Sequence, residues 1–598
     1  MQLKVPKERL AHIWTLAYLG GAIIAFRLAD IQILRHDYYR NAAERNRTQI
    51  IYQTAPRGRI MTADSVTVAA NQPSFNLIYL PGGRNDPAYM RRLADDFSSR
   101  LGVTSVDVQK KLQNAFQRGR PVKLAENLSA KTMFALAELK TIYPGVDIVA
   151  ESKRNYPLGH FASHLVGYMG RISPRDKQLL LRDGQDYRLD SRIGKSGIEK
   201  VFERQLKGRD GGLFLEIDAQ GRLQGVMQSE PWQSGADIQL TLDYKIQKAA
   251  EDGLRASLTQ KGAVVAINPR NGDVLALASL PDFDPNIFVT YSDSETDKAA
   301  LRSVPEYNIA TQGLFAPGSI FKIIVGAAFL EGGKVDVDEK VHCPGYYRAS
   351  GRVFKCWEKK GHGAVNFMDA MAHSCDVYYY TMGLRVGPAE IEKFERGFRL
   401  GLPSGLLIAG ERGGHVFGPL GRTRSKSYWF QGDTLNLSIG QGELLVTPIQ
   451  MAQMAAATAN KGYFWRPNYV EKISGDEPFR KKTELLSTVN LRPDTWATLW
   501  KSLRLVVTDG TGRLANIKGL EVYGKTGTAQ NSQGDENAWF VAFAHEPGKL
   551  PKIAVAVLVQ HGLHGSSAAG PIARQVIEAA YGIKNGAPAV MAEGGAEL

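Results

Sequence analysis

Cysteine is nearly absent: there are 3 in 598 residues, an odd number and too few to staple a chain of this length with disulfides. No collagen, heptad or solenoid period runs through the sequence, and its 61 glycines and 27 prolines are scattered as turn punctuation. Acidic residues are the scarcer charge, 60 Asp+Glu against 74 Lys+Arg. The resulting formal +14 suits anionic partners such as phospholipid headgroups, cell-wall polymer or nucleic acid. Long apolar runs are also missing, with one exception at the start. What remains, 43% hydrophobic and 22% charged, is a folded chain of two or three units.

The exception runs from Ile13 to Phe26 without a formal charge and continues through Leu28, Ile31, Ile33 and Leu34 past Arg27 and Asp30. It is long enough to cross a bilayer. Lys4, Lys7 and Arg9 precede it with only Glu8 opposing them, which keeps the N-terminus cytoplasmic and sends the rest across the membrane. A cleaved signal peptide shares the basic start and apolar core. No Ala-x-Ala site followed by a mature start is present, so an uncleaved anchor over residues 13–34, after a cytoplasmic 1–12, is expected.

Residues 35–235 are basic and irregular, with short strand-like pieces such as Phe75–Tyr79 between helical stretches. Gly194-Lys-Ser-Gly-Ile-Glu-Lys200 invites comparison with a phosphate loop, but the glycine such a loop needs five places earlier is Leu189. A second unit, 236–583, opens near Ile238, where Asp243 or Thr241 can cap a helix carrying Ile246, Ala249, Ala250 and Leu254 at helical spacing. Ala263–Ile267 and Asp273–Leu277 flank Asn268-Pro-Arg-Asn-Gly272 as a hairpin; Ala538–Phe543 and Ile553–Val559 read as two further strands before a closing helix, Pro571–Tyr581. The expected fold is α/β in the α+β sense: an antiparallel sheet packed by the terminal helices, with an α-rich insert. The Ala- and Gly-rich tail, 584–598, is expected to be disordered.

Three short motifs carry chemistry. In Ala316-Pro-Gly-Ser-Ile-Phe-Lys322 the Pro and Gly break the chain ahead of the apolar run Ile323–Leu330, which puts Ser319 in the first turn of a buried helix. Ser319 and Lys322 then share a helical face, near the end of the helix dipole that favours negative charge. A serine hydroxyl needs a base to become nucleophilic, and a desolvated lysine amine can serve. The second motif is Ser374-Cys-Asp376, just before the aromatic helical stretch Val377–Met382; the third is Tyr523-Gly-Lys-Thr-Gly-Thr-Ala529. That third motif also completes a phosphate-loop pattern with Gly519, Gly524, Lys525 and Thr526. A phosphate loop needs a strand before its first Gly and a helix from its Lys-Thr, yet 515–519 is a poor strand and 528–534 a poor helix.

Ser-x-x-Lys, Ser-x-Asp and Lys-Thr-Gly in this order resemble the active site of the penicillin-binding transpeptidases, whose middle motif is usually Ser-x-Asn. Arg57-Gly-Arg-Ile60, His164-Leu-Val-Gly167, Gly194–Lys200 and Ser438-Ile-Gly-Gln-Gly442 are similar to the class B, rod-elongation branch, over nearly the whole chain. The resemblance implies one anchor, a non-catalytic dimerisation-type pedestal and a C-terminal transpeptidase domain in the periplasm of a cell with an inner membrane. It further implies peptidoglycan D,D-transpeptidation through an acyl-enzyme on Ser319, with Lys322 as base and Ser374 relaying a proton to the leaving amine. Lys525, Thr526, Gly527 and Thr528 would hold the substrate, and the amides of Ser319 and Thr528 would form the oxyanion hole. Asp376 replaces the family's Asn and can only accept hydrogen bonds, so it is expected either to touch substrate or to orient Lys322 or Ser374. Implied partners are stem peptides, the lipid-linked precursor, β-lactams, a RodA-type membrane glycosyltransferase and other elongation-complex proteins. No organic cofactor and no nucleic acid are implied. The same residues would also serve a penicillin sensor or a scaffold that activates a membrane glycosyltransferase; no candidate exists for the deacylating Glu of class A β-lactamases.

All three cysteines fall within residues 343–375: Cys343, Cys356 and Cys375, with His362 among them. Three thiolates and an imidazole make the ligand set of a closed tetrahedral zinc site. The spacing matches no short zinc-finger pattern. His342 and His373 are alternative ligands, and a disulfide with one free thiol, or three small buried residues, are the alternatives to a metal.

Overall fold

A computed structural model describes residues 7–583 of the protein apart from 80–85, 102–103, 119–120, 144, 183–186, 188–190, 218–222, 291–294, 422–427, 476–477 and 532–533. The tail 584–598 lies outside the described residues. Among these residues the chain forms two compact units, each assembled from several segments. The first collects Met1–Arg57, Asn71–Lys153 and Lys207–Gly235; the second collects Gly58–Ala70, Arg154–Leu206 and Ala236–Leu598.

The first unit begins with helix Lys7–Ala29, which continues into a π-helical turn at Asp30–Leu34. The stretch Ala11–Leu34 is long and apolar enough to cross a membrane, and none of it is packed inside the protein. The two charges that interrupt it, Arg27 and Asp30, pair at 2.5 Å, and Arg35 reaches Asp30 at 3.2 Å. Farther on, Thr48–Gln53, Gly211–Ile217 and Leu223–Glu230 form an antiparallel sheet. A separate core gathers Leu77, Tyr79, Leu93, Phe97, Leu112 and Leu124 where the amphipathic helices Pro87–Leu101 and Ser105–Arg118 bury their apolar stripes.

In the second unit, the short motifs of the basic region explain themselves by packing. Arg59 clasps Asp237 through its backbone amide at 2.7 Å and its guanidinium at 2.7 and 3.0 Å. Gly167 has φ +78°, and a Cβ there would stand 2.0 Å from the Ser196 carbonyl oxygen, so the two backbones can touch only because the residue is glycine. Within Gly194–Lys200, Glu199 accepts from Arg154 Nε at 2.7 Å while Arg154 Nη1 donates to Gly58 O at 2.7 Å. Both side chains are almost wholly removed from water. The segment packs as a structural clamp and lacks the first glycine of a phosphate loop.

The centre of this unit is a five-stranded antiparallel sheet: β1 Gly262–Ile267, β2 Val274–Leu280, β3 Glu521–Asn531, β4 Gly534–His545 and β5 Ile553–Val559, in the order β2-β1-β5-β4-β3. Asn268–Gly272 turns the β1–β2 hairpin, with Asn268 N donating to Asp273 O at 2.8 Å. The helices that carry the argument are α1 Tyr244–Arg255, α2 Lys322–Glu331, α3 Asp376–Val386, α4 Pro448–Ala459, α5 Pro493–Thr508 and α6 Gly570–Tyr581. Asp243 caps α1 by accepting from the amides of Lys245 and Ile246.

Side chains alternate across the sheet. Val264, Ala266, Val555 and Val557 face one core, with Ile246 and Leu254 of α1 and Ile572 and Val576 of α6. Ala263, Val265, Ala554 and Ala556 face the larger core, which contains α2, α3 and α4. Each fully buried Val or Leu there contributes roughly 1.5–3 kcal/mol relative to exposure. The expected sheet with terminal helices and an α-rich insert is thus the architecture found.

Removing one partner of the Arg154–Glu199 pair leaves a buried charge uncompensated. Arg154→Met is expected to cost about 3–5 kcal/mol, whereas Arg154→Met with Glu199→Leu recovers much of the loss. Denaturation midpoints of the full chain and both variants check this.

Candidate active site

Ser319 lies in a 3-10 turn, Gly318–Phe321, and α2 starts at Lys322. The first motif therefore forms a tight turn ahead of the α-helix, not its first α-helical turn. Gly318 is the reason: its φ is +57°, its amide donates to Gly440 O at 2.9 Å, and a Cβ on it would stand 2.5 Å from Thr528 O. Gly440 in turn lies so close that its own Cβ would come within 2.2 Å of Gly318 O. The first motif, the segment Ser438–Gly442 and the third motif on β3 thus meet backbone to backbone. Ser319 is partly exposed while Gly318, Ile320, Phe321 and Lys322 are buried.

Lys322 is fully buried, and its ammonium reaches three oxygens: Ser374 O at 2.9 Å, Ser374 Oγ at 3.2 Å and Asp376 Oδ1 at 2.7 Å. It also lies 5.0 Å from the centre of the Tyr379 ring. Ser374 adopts a left-handed φ of +56°, uncommon for a residue with a side chain, at the turn into α3. Asp376 spends its other oxygen on the Trp357 amide at 3.1 Å. Burial pushes its carboxyl up, and the Lys322 ammonium opposes that rise. Where an Asn could also donate, Asp376 accepts on both oxygens, and its partners are Lys322 and Trp357.

Lys525 is a second fully buried lysine, on β3, with Nζ donating to Thr526 O at 3.1 Å. Burial drives its ammonium well below the ordinary 10.5; Lys322 adds to the depression and Asp376 resists it. The two lysines therefore feel one another across the site. Thr526 Oγ1 pairs with Thr511 Oγ1 at 2.6 Å, Gly527 packs against Ile320 and Pro317, and Thr528 is partly exposed. β3 runs unbroken from Glu521 to Asn531, so no helix begins at Lys525 and the amide cradle of a phosphate loop is not formed.

The donor atoms of Cys343, Cys356, His362 and Cys375 all lie within 4.8 Å of one another. His362 Nδ1 is 3.5 Å from Cys356 Sγ and 3.7 Å from Cys343 Sγ. These fit the separations of roughly 3.5–3.8 Å between ligands on a tetrahedral zinc with metal–donor bonds of about 2.0–2.3 Å. Hydrogen bonding with Cys375 pulls the Cys356 thiol down to about 3 and pushes the Cys375 thiol up. His342 and His373 are outside the donor set. All three thiols are free, so no disulfide is formed.

The cluster touches the lysine site twice: Cys375 sits between Ser374 and Asp376, and Cys356 precedes Trp357, whose amide holds Asp376. Trp357, Tyr379, Thr511 and Gly440 were not singled out as site residues by sequence reasoning. Trp357 had a signal, its place beside a candidate ligand; Thr511 had none, since only the fold brings it to Thr526.

Residues 262–578 match the penicillin binding protein transpeptidase domain, and residues 52–240 the penicillin-binding protein dimerisation domain. The peptidoglycan D,D-transpeptidase MrdA of Acinetobacter baumannii is 33% identical over 573 residues, covering 92% of this chain and 84% of the relative. Among solved structures, the complex of penicillin-binding protein PBP2 with MreC from Helicobacter pylori superposes with a TM-score of 0.75 at 25% identity, over 90% of this chain and 99% of that one. A peptidoglycan synthase complex that coordinates polymerization and crosslinking gives 0.70 at 28% identity, over 97% and 99%.

Between the lowered value of Lys525 and the ordinary 10.5, the unfolded chain holds a proton that the folded chain lacks. Raising pH through that window therefore increases stability. Lys525→Met removes the cost: the variant should be the more stable protein at about pH 8 and lose that advantage as pH approaches the ordinary lysine range. Thermal midpoints across the window check the sign, and an advantage that grows with pH contradicts it.

Proposed function

The chain belongs to the class B penicillin-binding transpeptidases, the peptidoglycan D,D-transpeptidases of MrdA type, and from that premise we propose how its residues divide the reaction. Ser319 Oγ attacks the carbonyl between the two terminal D-alanines of a stem peptide, forming a serine ester as the terminal D-alanine leaves. Lys322 takes the hydroxyl proton, and Asp376, which accepts from Lys322 Nζ, orients it. Ser374 Oγ, beside Lys322 Nζ, relays a proton to the departing amine. Lys525, Thr526 and Thr528 hold the terminal carboxylate, which brings Lys525 the opposite charge its buried site lacks, and Gly527 lets the substrate lie close along β3. The amides of Ser319 and Thr528 stabilise the tetrahedral oxyanion. An amine from a neighbouring stem then displaces the serine and completes the crosslink.

One observation carries this reading: a single buried ammonium, Lys322, joins the first motif to Ser374 and Asp376 of the second, with Lys525 of the third electrostatically in range. A β-lactam resembling the D-alanyl-D-alanine end should acylate Ser319. Labelling by a fluorescent penicillin is expected to vanish in Ser319→Ala, and intact mass after penicillin treatment should map the adduct to the peptide containing Ser319. Undiminished labelling of the variant would assign the nucleophile elsewhere.

The apolar helix supports single-pass anchoring over residues 13–34, with the basic N-terminus cytoplasmic, a pedestal over 35–235 and the transpeptidase domain, 236–583, in the periplasm. The implied working partner is a RodA-type glycosyltransferase that polymerises lipid-linked precursor beside this enzyme, together with other elongation-complex proteins. Similarity to the synthase complex and to the PBP2 that binds MreC supports that reading. No organic cofactor is expected for the family.

Cys343, Cys356, His362 and Cys375 are the proposed ligands of a structural zinc ion, supported by donor separations that suit a tetrahedral metal. Such an ion would cross-link the loop bearing Trp357 to the start of α3. Removing it with a chelator should lower thermal stability and slow penicillin acylation together, because Trp357 and Cys375 flank Asp376 and Ser374. Metal analysis that finds no zinc, with neither property changed by chelation, would falsify the proposal.

A further inference from the structure

We infer that Thr511, which none of the three motifs includes, is a positioning residue for the substrate's terminal carboxylate: its hydroxyl donates to Thr526 Oγ1 and leaves the Thr526 proton to be aimed at that carboxylate. This deepens the transpeptidase reading above and rests on its assignment of Thr526 to carboxylate binding.

The contact is a pair of hydroxyls. Thr511 Oγ1 and Thr526 Oγ1 stand 2.6 Å apart, at the short end of O–H···O distances, and among the described residues neither side chain has another hydrogen-bond partner. A hydroxyl carries one proton and accepts on its lone pairs, so only one of the two protons can lie between these oxygens. Thr526 is buried, so little water is at hand to replace Thr511.

An anionic guest decides the direction. A carboxylate can only accept, so Thr526 can hold one only by donating its proton outward. The proton between the two threonines must then come from Thr511. Donation into Thr526 Oγ1 also polarises the Thr526 O–H bond and strengthens the outward hydrogen bond, the cooperativity expected of a chain of hydrogen bonds in a low-dielectric site. Without the Thr511 hydroxyl, Thr526 loses the partner that fixes its rotor.

The backbone holds Thr511 in place for this. At the turn that closes α5, Asp509 N and Gly510 N both donate to Leu505 O at 2.9 Å, and Gly512 N donates to Val506 O at 2.8 Å. Thr511 N donates to Ala372 O at 3.2 Å, and a Cβ on Gly510 would stand only 2.1 Å from that oxygen. Ala372 ends the short helix Phe367–Ala372, two residues before Ser374. On the other side, Thr526 O accepts from Lys525 Nζ at 3.1 Å. Thr511 therefore spans from the segment leading into the second motif to the threonine of the third.

The test compares acylation of full-length protein in detergent by benzylpenicillin, whose carboxylate is free, and by its methyl ester, whose carboxylate is masked. Intact mass follows the adduct. The readout is the ratio of the acid's second-order rate to the ester's, and the acid's rate is resolved into a half-saturating concentration and a limiting rate. In Thr511→Ala the ratio should fall roughly three- to tenfold, the scale of one hydrogen bond between neutral groups, through a higher half-saturating concentration. Thr511→Ser, which keeps the hydroxyl, should restore it. On a Thr526→Val background, Thr511→Ala should lower the ratio no further. Should Thr511→Ala fail to fold, Thr511→Val removes the hydroxyl with the volume kept. The inference fails if the ratio is unchanged, including the case where both rates fall together as a packing defect requires. It fails equally if serine does not restore the ratio or if the two substitutions act independently. A Thr526→Val protein that keeps the full ratio would undo the assignment of Thr526 to the carboxylate, and the inference with it. A lowered ratio there, with an unchanged one in Thr511→Ala, overturns the inference alone.

Discussion

An ammonium group taken out of water must be met by other polar groups, and the catalytic unit is organised around that demand at Lys322. Ser374 supplies two oxygens and Asp376 a third, all within 3.2 Å of Nζ. Because α2 is apolar and buried on every side, the lysine at its start has no path to solvent, and the turn into α3 has to come to it. That turn bends Ser374 into a left-handed conformation, which places its carbonyl and hydroxyl on the same cation. The unusual backbone and the buried charge account for one another.

A second buried lysine increases the tension. Among the described residues Lys525 has no carboxylate within hydrogen-bonding distance, and burial and Lys322 push it toward its neutral form. A carboxylate brought beside such a group would favour its charged form. The close backbone approaches at Gly318, Gly440 and Thr528 leave little room for these groups to relax away from one another. Precision at the site thus comes from glycine contacts and a five-stranded sheet, while the loop at Trp357, next to Cys356, reaches Asp376 from outside both.

Much of this could be read from the chain. Apolar alternation in Ala263–Ile267 and Ile553–Val559, the Asn268–Gly272 turn and the Asp243 cap are local signals, and local signals survive without tertiary context. The three motifs could be read because a serine, two lysines and a second serine in that order are rare enough to mark a family. The 3-10 turn at Ser319 could not be foreseen, since it depends on Gly440 and Thr528 crowding Gly318 from distant parts of the sequence. Similarly, the sequence left Asp376 with two possible duties, and its nearness to Lys322 and the Trp357 amide is a product of the fold alone.

By itself, then, the order of amino acids determined which groups are available for chemistry, which stretches become strand or helix, and that one run near the start is apolar enough to span a membrane. These are properties of neighbours along the chain: side-chain type, periodicity and backbone preference. Tertiary structure alone decided which distant groups share a low-dielectric space, and therefore which lysine is tied to a carboxylate, which is left without one, and which of several histidines joins the three thiols. Protonation and hydrogen bonding follow from distance and exclusion of water, and neither is defined until the chain has folded.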